Sequence, residues 1–157
     1  MSKLSKFLAA FLAIFSTSVF ANFSGVWHME FPKSGTITNS ADKFDIYLIQ
    51  EKNTICGFHY GTGRGTAKID WGWADDKKPT VYGQETSANT AKVTLHSSHS
   101  DKPIETVLSI KEGKLIWLSN ISETELPPTI PKSATLTKSI PNGHEFRGIK
   151  SCNTKGT

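Results

Sequence analysis

Phe23-Ser24-Gly25-Val26-Trp27-His28-Met29-Glu30-Phe31 is the stretch that decides the fold. Its odd positions are apolar or small, and its even positions include Ser24, His28 and Glu30. Successive side chains of an extended chain point to opposite faces, so this alternation predicts a strand with one face buried. The same period recurs downstream. Lys43 to Gln50 places Phe44, Ile46 and Leu48 on one face, and Ala91 to Ser97 does so with Ala91, Val93, Leu95 and Ser97. Further short strands are predicted at 55–60, 67–73, 80–86, 104–110, 115–119 and 134–137. The breaks between them carry turn residues: Glu51-Lys-Asn-Thr54, Asp75-Asp-Lys-Lys-Pro79, Ser87-Ala-Asn-Thr90, Ser100-Asp-Lys-Pro103 and Lys111-Glu-Gly-Lys114.

Eight or nine short strands with short links must be antiparallel neighbours, because a parallel pair needs a long crossover. A meander of that length has two edges to hide, and closure into a barrel removes both. The expectation is therefore an all-β, antiparallel up-and-down barrel of eight or nine strands, with a two-sheet sandwich as the alternative. No helical stripe interrupts the pattern after residue 21. A proline-rich loop, Pro127-Pro-Thr-Ile-Pro131, precedes the last strand, and residues 139–157 read as a polar tail tethered by Cys152.

Upstream of the first strand, Met1 to Lys6 carries two lysines and no acid. An apolar run from Phe7 to Phe15 follows, and then Val19-Phe20-Ala21. These are the three parts of a secretory signal peptide, cleaved after Ala21. The apolar run is shorter than the roughly 20 residues that a spanning helix needs. The expected product is one domain, residues 22–157, in the periplasm or outside the cell, with no membrane anchor after cleavage. Removal of Lys3 and Lys6 leaves 16 of the 18 basic residues against 14 acidic ones. That balance, with only Arg64 and Arg147 as arginines, argues against a nucleic-acid or membrane-surface binder. The two cysteines, Cys56 and Cys152, read first as a disulfide in an exported chain, two free buried thiols being the alternative.

The Gly25-Val26-Trp27 element opening a meander resembles the Gly-x-Trp first strand of lipocalins and the wider calycin group. The resemblance covers three residues plus the architecture; the Thr-Asp-Tyr motif of lipocalins and their helix after the last strand are missing. It implies a barrel with Trp27 closing one end. It also implies a disulfide tying the C-terminal tail to the barrel, and a basic residue after the last strand covering the tryptophan, for which Arg147 is the available arginine.

Candidate functional residues are few. No Gly-x-Ser-x-Gly elbow is present, and no carboxylate pair stands out as a glycosidase couple. His96-Ser-Ser-His99 places its imidazoles on opposite faces of an extended strand, so no metal and no cofactor is expected. Trp71-Gly72-Trp73 puts two indoles on one face. Facing inward they are core or cavity lining, the reading favoured by the usual burial of tryptophan; facing outward they form a platform for a sugar or a partner protein. Gly61-Thr-Gly-Arg-Gly65 lacks the Gly-Lys-Ser/Thr end of a phosphate loop. Its reading is a hairpin loop or an anion nest, with Arg64 between Gly63 and Gly65 as a cationic tip for a partner. The expected function is a non-enzymatic binding protein of the inhibitor or immunity type, acting on an enzyme of the cell envelope. The alternatives are a calycin-like carrier of a small apolar ligand, and an enzyme whose site the sequence does not display.

Overall fold

A computed structural model describes residues 21–29, 41–71, 78–139 and 151–152. The strands are β1 (Gly25–Met29), β2 (Ala41–Glu51), β3 (Thr54–Gly63), β4 (Ile69–Trp71), β5 (Val81–Ser87), β6 (Thr90–Leu95), β7 (Ile104–Lys111), β8 (Lys114–Ser119) and β9 (Ser133–Ser139). One 3-10 turn, Glu123–Glu125, interrupts the β8–β9 connection. Every strand pairing is antiparallel, and they run in the order β2-β1-β9-β8-β7-β6-β5-β3, with β2 pairing β3 to close the ring. The result is an eight-stranded closed barrel with β4 as an additional short strand.

The register explains β4. Tyr60 of β3 pairs with Trp71 of β4, and Gly57 of β3 pairs with Val81 of β5. Thus β4 and β5 lie on the same side of β3 and run in the same direction. They are two pieces of one barrel position, the first ending at Trp71 and the second starting at Val81. The sequence reading places a break at 75–79 between strands at 67–73 and 80–86, but gives each strand its own place in the wall, whereas the two share one.

The period-two alternation is realised throughout. Phe44, Ile46 and Leu48 of β2, Ala91, Val93 and Leu95 of β6, Ile104 and Leu108 of β7, and Leu115 and Trp117 of β8 all enter one core. Phe44 and Trp117 meet edge to face at 4.9 Å between ring centres, a geometry favoured by the ring quadrupoles. These large side chains fill the bore.

The two ends close differently. At one end Trp27 is 2% exposed and its Nε1–H donates to the Phe23 carbonyl at 2.9 Å. Lys138 lies over its ring at 5.2 Å, a cation–π contact. A cation over Trp27 thus comes from Lys138, within the last strand; Arg147, the residue expected there, lies outside the described residues. At the other end the proline-rich loop folds inward, with Thr129 and Ile130 completely buried. Gly61 is required there, because a Cβ at that position would stand 2.2 Å from the Thr129 carbonyl oxygen. Outside the barrel, Cys56 and Cys152 form a disulfide with Cα atoms 5.5 Å apart. They pack with Phe58 in a small outer cluster, against Tyr47 and Ile49.

Candidate functional site

Asp70 is the middle residue of the three-residue strand β4, and it is completely buried. An uncompensated carboxylate is too costly to bury, so its partners define the local structure. The Ser98 N–H and hydroxyl donate to Oδ1 at 3.0 and 2.8 Å. The Thr129 hydroxyl donates to Oδ2 at 3.1 Å, and the Ser97 hydroxyl donates to the same oxygen. His59, 2% exposed, brings Nε2 to 3.2 Å from Oδ1, off the line of a hydrogen bond. Burial alone would raise the Asp70 carboxyl. His59, the Ser97 hydroxyl and the Ser98 N–H outweigh it and hold the carboxyl well below the usual carboxylate range.

His59 is fixed in turn by Thr80. The His59 backbone N–H donates to Thr80 Oγ1 at 3.3 Å, and Nδ1 lies 2.9 Å from the same oxygen. With the Thr80 hydroxyl hydrogen directed at Nδ1, the ring carries its proton on Nε2, facing Asp70. Hydroxyl, imidazole and carboxylate thus follow one another in the order of an activated nucleophile. The difference is access: the imidazole and carboxylate are enclosed, and the hydroxyl already accepts a backbone N–H. The arrangement serves as an anchor that ties β4 to the connections carrying Ser97, Ser98 and Thr129 and sets it beside His59 of β3.

The anchor decides what the molecule displays. Since neighbours on a strand face opposite ways, holding Asp70 inside sends Ile69 and Trp71 outside. They are 55% and 50% exposed. The inward reading of Trp71 is thereby corrected: the buried carboxylate takes the inner position, and the indole faces out. Trp73 lies outside the described residues. His99 Nε2 meets the Ile69 carbonyl at 3.0 Å and braces the same strand, whereas His96 is exposed at the end of β6. No group of three His, Cys, Asp or Glu gathers among the described residues.

On the outer face, cross-strand pairing builds a grid of two rows over three strands. One row is Asp45, Tyr60 and Trp71; the other is Lys43, Thr62 and Ile69. The Tyr60 and Trp71 rings are 6.4 Å apart and tilted. Lys43 Nζ lies 5.0 Å from the Tyr60 ring centre. Both oxygens of Asp45 are engaged, Oδ1 by His28 Nδ1 at 2.6 Å and Oδ2 by Lys43 Nζ at 3.0 Å. The turn that follows β3 carries Arg64, half-buried, and Gly65, exposed with φ +63°. Gly63 is buried, and a Cβ there would stand 2.5 Å from Thr66 Oγ1 and 3.4 Å from Pro128. Its glycine is thus explained by close packing of the turn, whereas Gly65 meets nothing within 4 Å and marks a free tip. Arg64, Gly63, Gly65 and Trp71 therefore fall on one hairpin. Sequence reasoning missed Tyr60, Ile69, Lys43 and the His59–Asp70 anchor. Elsewhere, a shallow depression of about 450 Å³ is lined by Ser100, Asp101, Lys102, Pro103, Ile121 and Glu125, with both signs of charge.

These features define a class: a closed antiparallel meander barrel with a filled bore and a displayed outer hairpin, compatible with a calycin-like fold. No protein-family model, curated protein or solved structure matches the chain.

Proposed function

We propose that this protein is an exported, non-enzymatic binding barrel that acts on a protein partner in the cell envelope, as an inhibitor or immunity-type protein toward an enzyme working there. The observation that carries the reading is the display of Ile69 and Trp71, half or more exposed, on a strand whose central carboxylate is locked inside. A large exposed aromatic on a rigid element is the usual core of a protein-binding surface, since it buries much area with little loss of side-chain freedom. The Cys56–Cys152 disulfide is consistent with an oxidising, exported compartment. The calycin-like carrier is less well supported, because a carrier needs inward positions too small to fill its bore, whereas Phe44, Trp117, Leu95, Leu108 and Leu136 fill this one.

The test is recovery of the mature protein from envelope extract, with bound proteins and bound small molecules analysed from the same sample. The reading expects an enriched envelope enzyme whose activity falls on titration with the pure barrel. Recovery of a stoichiometric apolar small molecule, released only on unfolding, would return the carrier.

A further inference from the structure

We propose that the outer face of the β3–β4 hairpin fits an acidic cleft on the partner protein, with Arg64 entering at the tip and Tyr60, Ile69 and Trp71 packing on the rim; this rests on the protein-binding reading above.

Three observations converge on an acidic partner. The first is the charge balance of the face. Lys43, Arg64 and Lys68 all lie on it, and Lys43 and Lys68 are exposed. Two of its acids are withdrawn from a partner: Asp70 is buried within the barrel, and Asp45 is 14% exposed with both oxygens engaged. Among the described residues of β2, β3, β4 and their turn, Asp42 is the acid left exposed. Lys43 is paired with that same Asp45, so the positive charge sits at the turn, where Arg64 and Lys68 stand against Asp42, although the whole mature chain is nearly balanced. The second is shape. The Arg64-Gly65 turn is narrow, and open space surrounds Gly65. A cationic tip ahead of a broader apolar base is complementary to a concave site with carboxylates at its floor. The third is composition. Trp, Tyr and Arg, the residue types most enriched among binding hot spots, occur here together. Lys43 is already held over Tyr60, so part of the ordering that binding would require is done in the free protein.

A photo-crosslinking side chain at Ile69 of the full mature protein tests the inference in envelope extract, followed by affinity measurements on whatever is captured. The expected result is a protein whose crosslinked peptide contains Asp or Glu. Its affinity should fall at least tenfold in Arg64→Glu and in Lys68→Glu, and should weaken as salt rises from 50 to 300 mM, on the order expected when the Debye length shortens. Both residues occupy the turn, so an unchanged Tm verifies folding. If Trp71→Ala abolishes binding while the charge reversals leave affinity within twofold, the acidic cleft is wrong and the protein-binding reading stands. If neither change matters, or Ile69 crosslinks no protein, both fail. Capture of an anionic glycan in place of a protein also overturns the inference.

Discussion

The two ends of this barrel solve the same problem with different chemistry. At one end, strands are joined by two residues each: Lys52-Asn53, Ala88-Asn89 and Glu112-Gly113. Positive φ at Lys52, Glu112 and Gly113 supplies the twist that such tight hairpins require. Trp27 and Phe23 close that end, mainly by apolar packing, with one hydrogen bond from Trp27 Nε1–H to the Phe23 carbonyl. At the opposite end the connections are longer, spanning residues 64–68, 96–103 and 120–132. Closure there relies on directional contacts: Asp70 with Ser97, Ser98 and Thr129, and Trp117 Nε1–H with the Ser119 hydroxyl oxygen and the Pro131 carbonyl. A mainly apolar plug fixes volume first. A hydrogen-bonded plug fixes orientation, and at β4 it fixes which side chains face the solvent. Recognition is accordingly expected at the long-loop end.

The contrast can be broken by substitution. Trp27→Ala should have the largest effect, roughly 3 to 5 kcal/mol by denaturant unfolding, as for other emptied aromatic core sites. That loss should hold across pH. Asp70→Asn should lose about 3 kcal/mol near neutrality, because it replaces a carboxylate oxygen by an NH2 group that faces buried donors and leaves them unpaired. This loss should depend on pH. The Asp70 carboxyl is held below its ordinary value in the folded state. Its contribution is therefore full above the unfolded value of about 4 and disappears as pH falls through the folded value. Wild type and Asp70→Asn should converge in acid, while wild type and Trp27→Ala should not. Parallel pH curves for all three proteins would show that Asp70 is uncharged or unimportant.

Smaller effects sharpen the comparison. Loss of the Cys56–Cys152 link, whose ends are 96 residues apart, should lower stability by about 2 to 4 kcal/mol. Reduction followed by thermal unfolding measures it. Gly61→Ala should cost about 1 to 3 kcal/mol, because its Cβ would collide with the backbone of the inward loop at Thr129. Gly113→Ala, with open space but φ +75°, should cost only about 1 kcal/mol from the left-handed backbone. Equal losses at the two glycines would mean that the proline-rich loop does not press on β3.

The barrel was legible because its signal is local. Alternation in 23–31, 43–50 and 91–97 assigns each side chain to a face without knowledge of distant partners. The hairpin display was not legible for the complementary reason. Within Ile69-Asp70-Trp71, a carboxylate between apolar neighbours reads as the outward residue, because acids are mostly exposed. Its true partners lie 11 residues before it and 27, 28 and 59 residues after it. Traces of them were present. Ser97 continues the inward face of Ala91, Val93 and Leu95, and His59 shares the face of Ile55. Polar residues at inward positions of separate strands signal a buried cluster, although nothing local says that they meet. Lys138 is a similar case: it follows Ala134 and Leu136 in the alternation of β9 and reaches Trp27, its cross-strand partner.

The central claim is that recognition belongs to the anchored hairpin and not to exposed apolar surface in general. Leu118 on β8 is 50% exposed, the same as Trp71, but stands on another wall of the ring, away from the β3–β4 hairpin. The most direct measurement is calorimetric titration of the captured partner with Trp71→Ala and Leu118→Ala side by side. The account expects Trp71→Ala to weaken binding at least tenfold, on the order of 1.4 kcal/mol or more, and Leu118→Ala to leave it within twofold. Equal weakening by the two, or loss with Leu118→Ala alone, would contradict it.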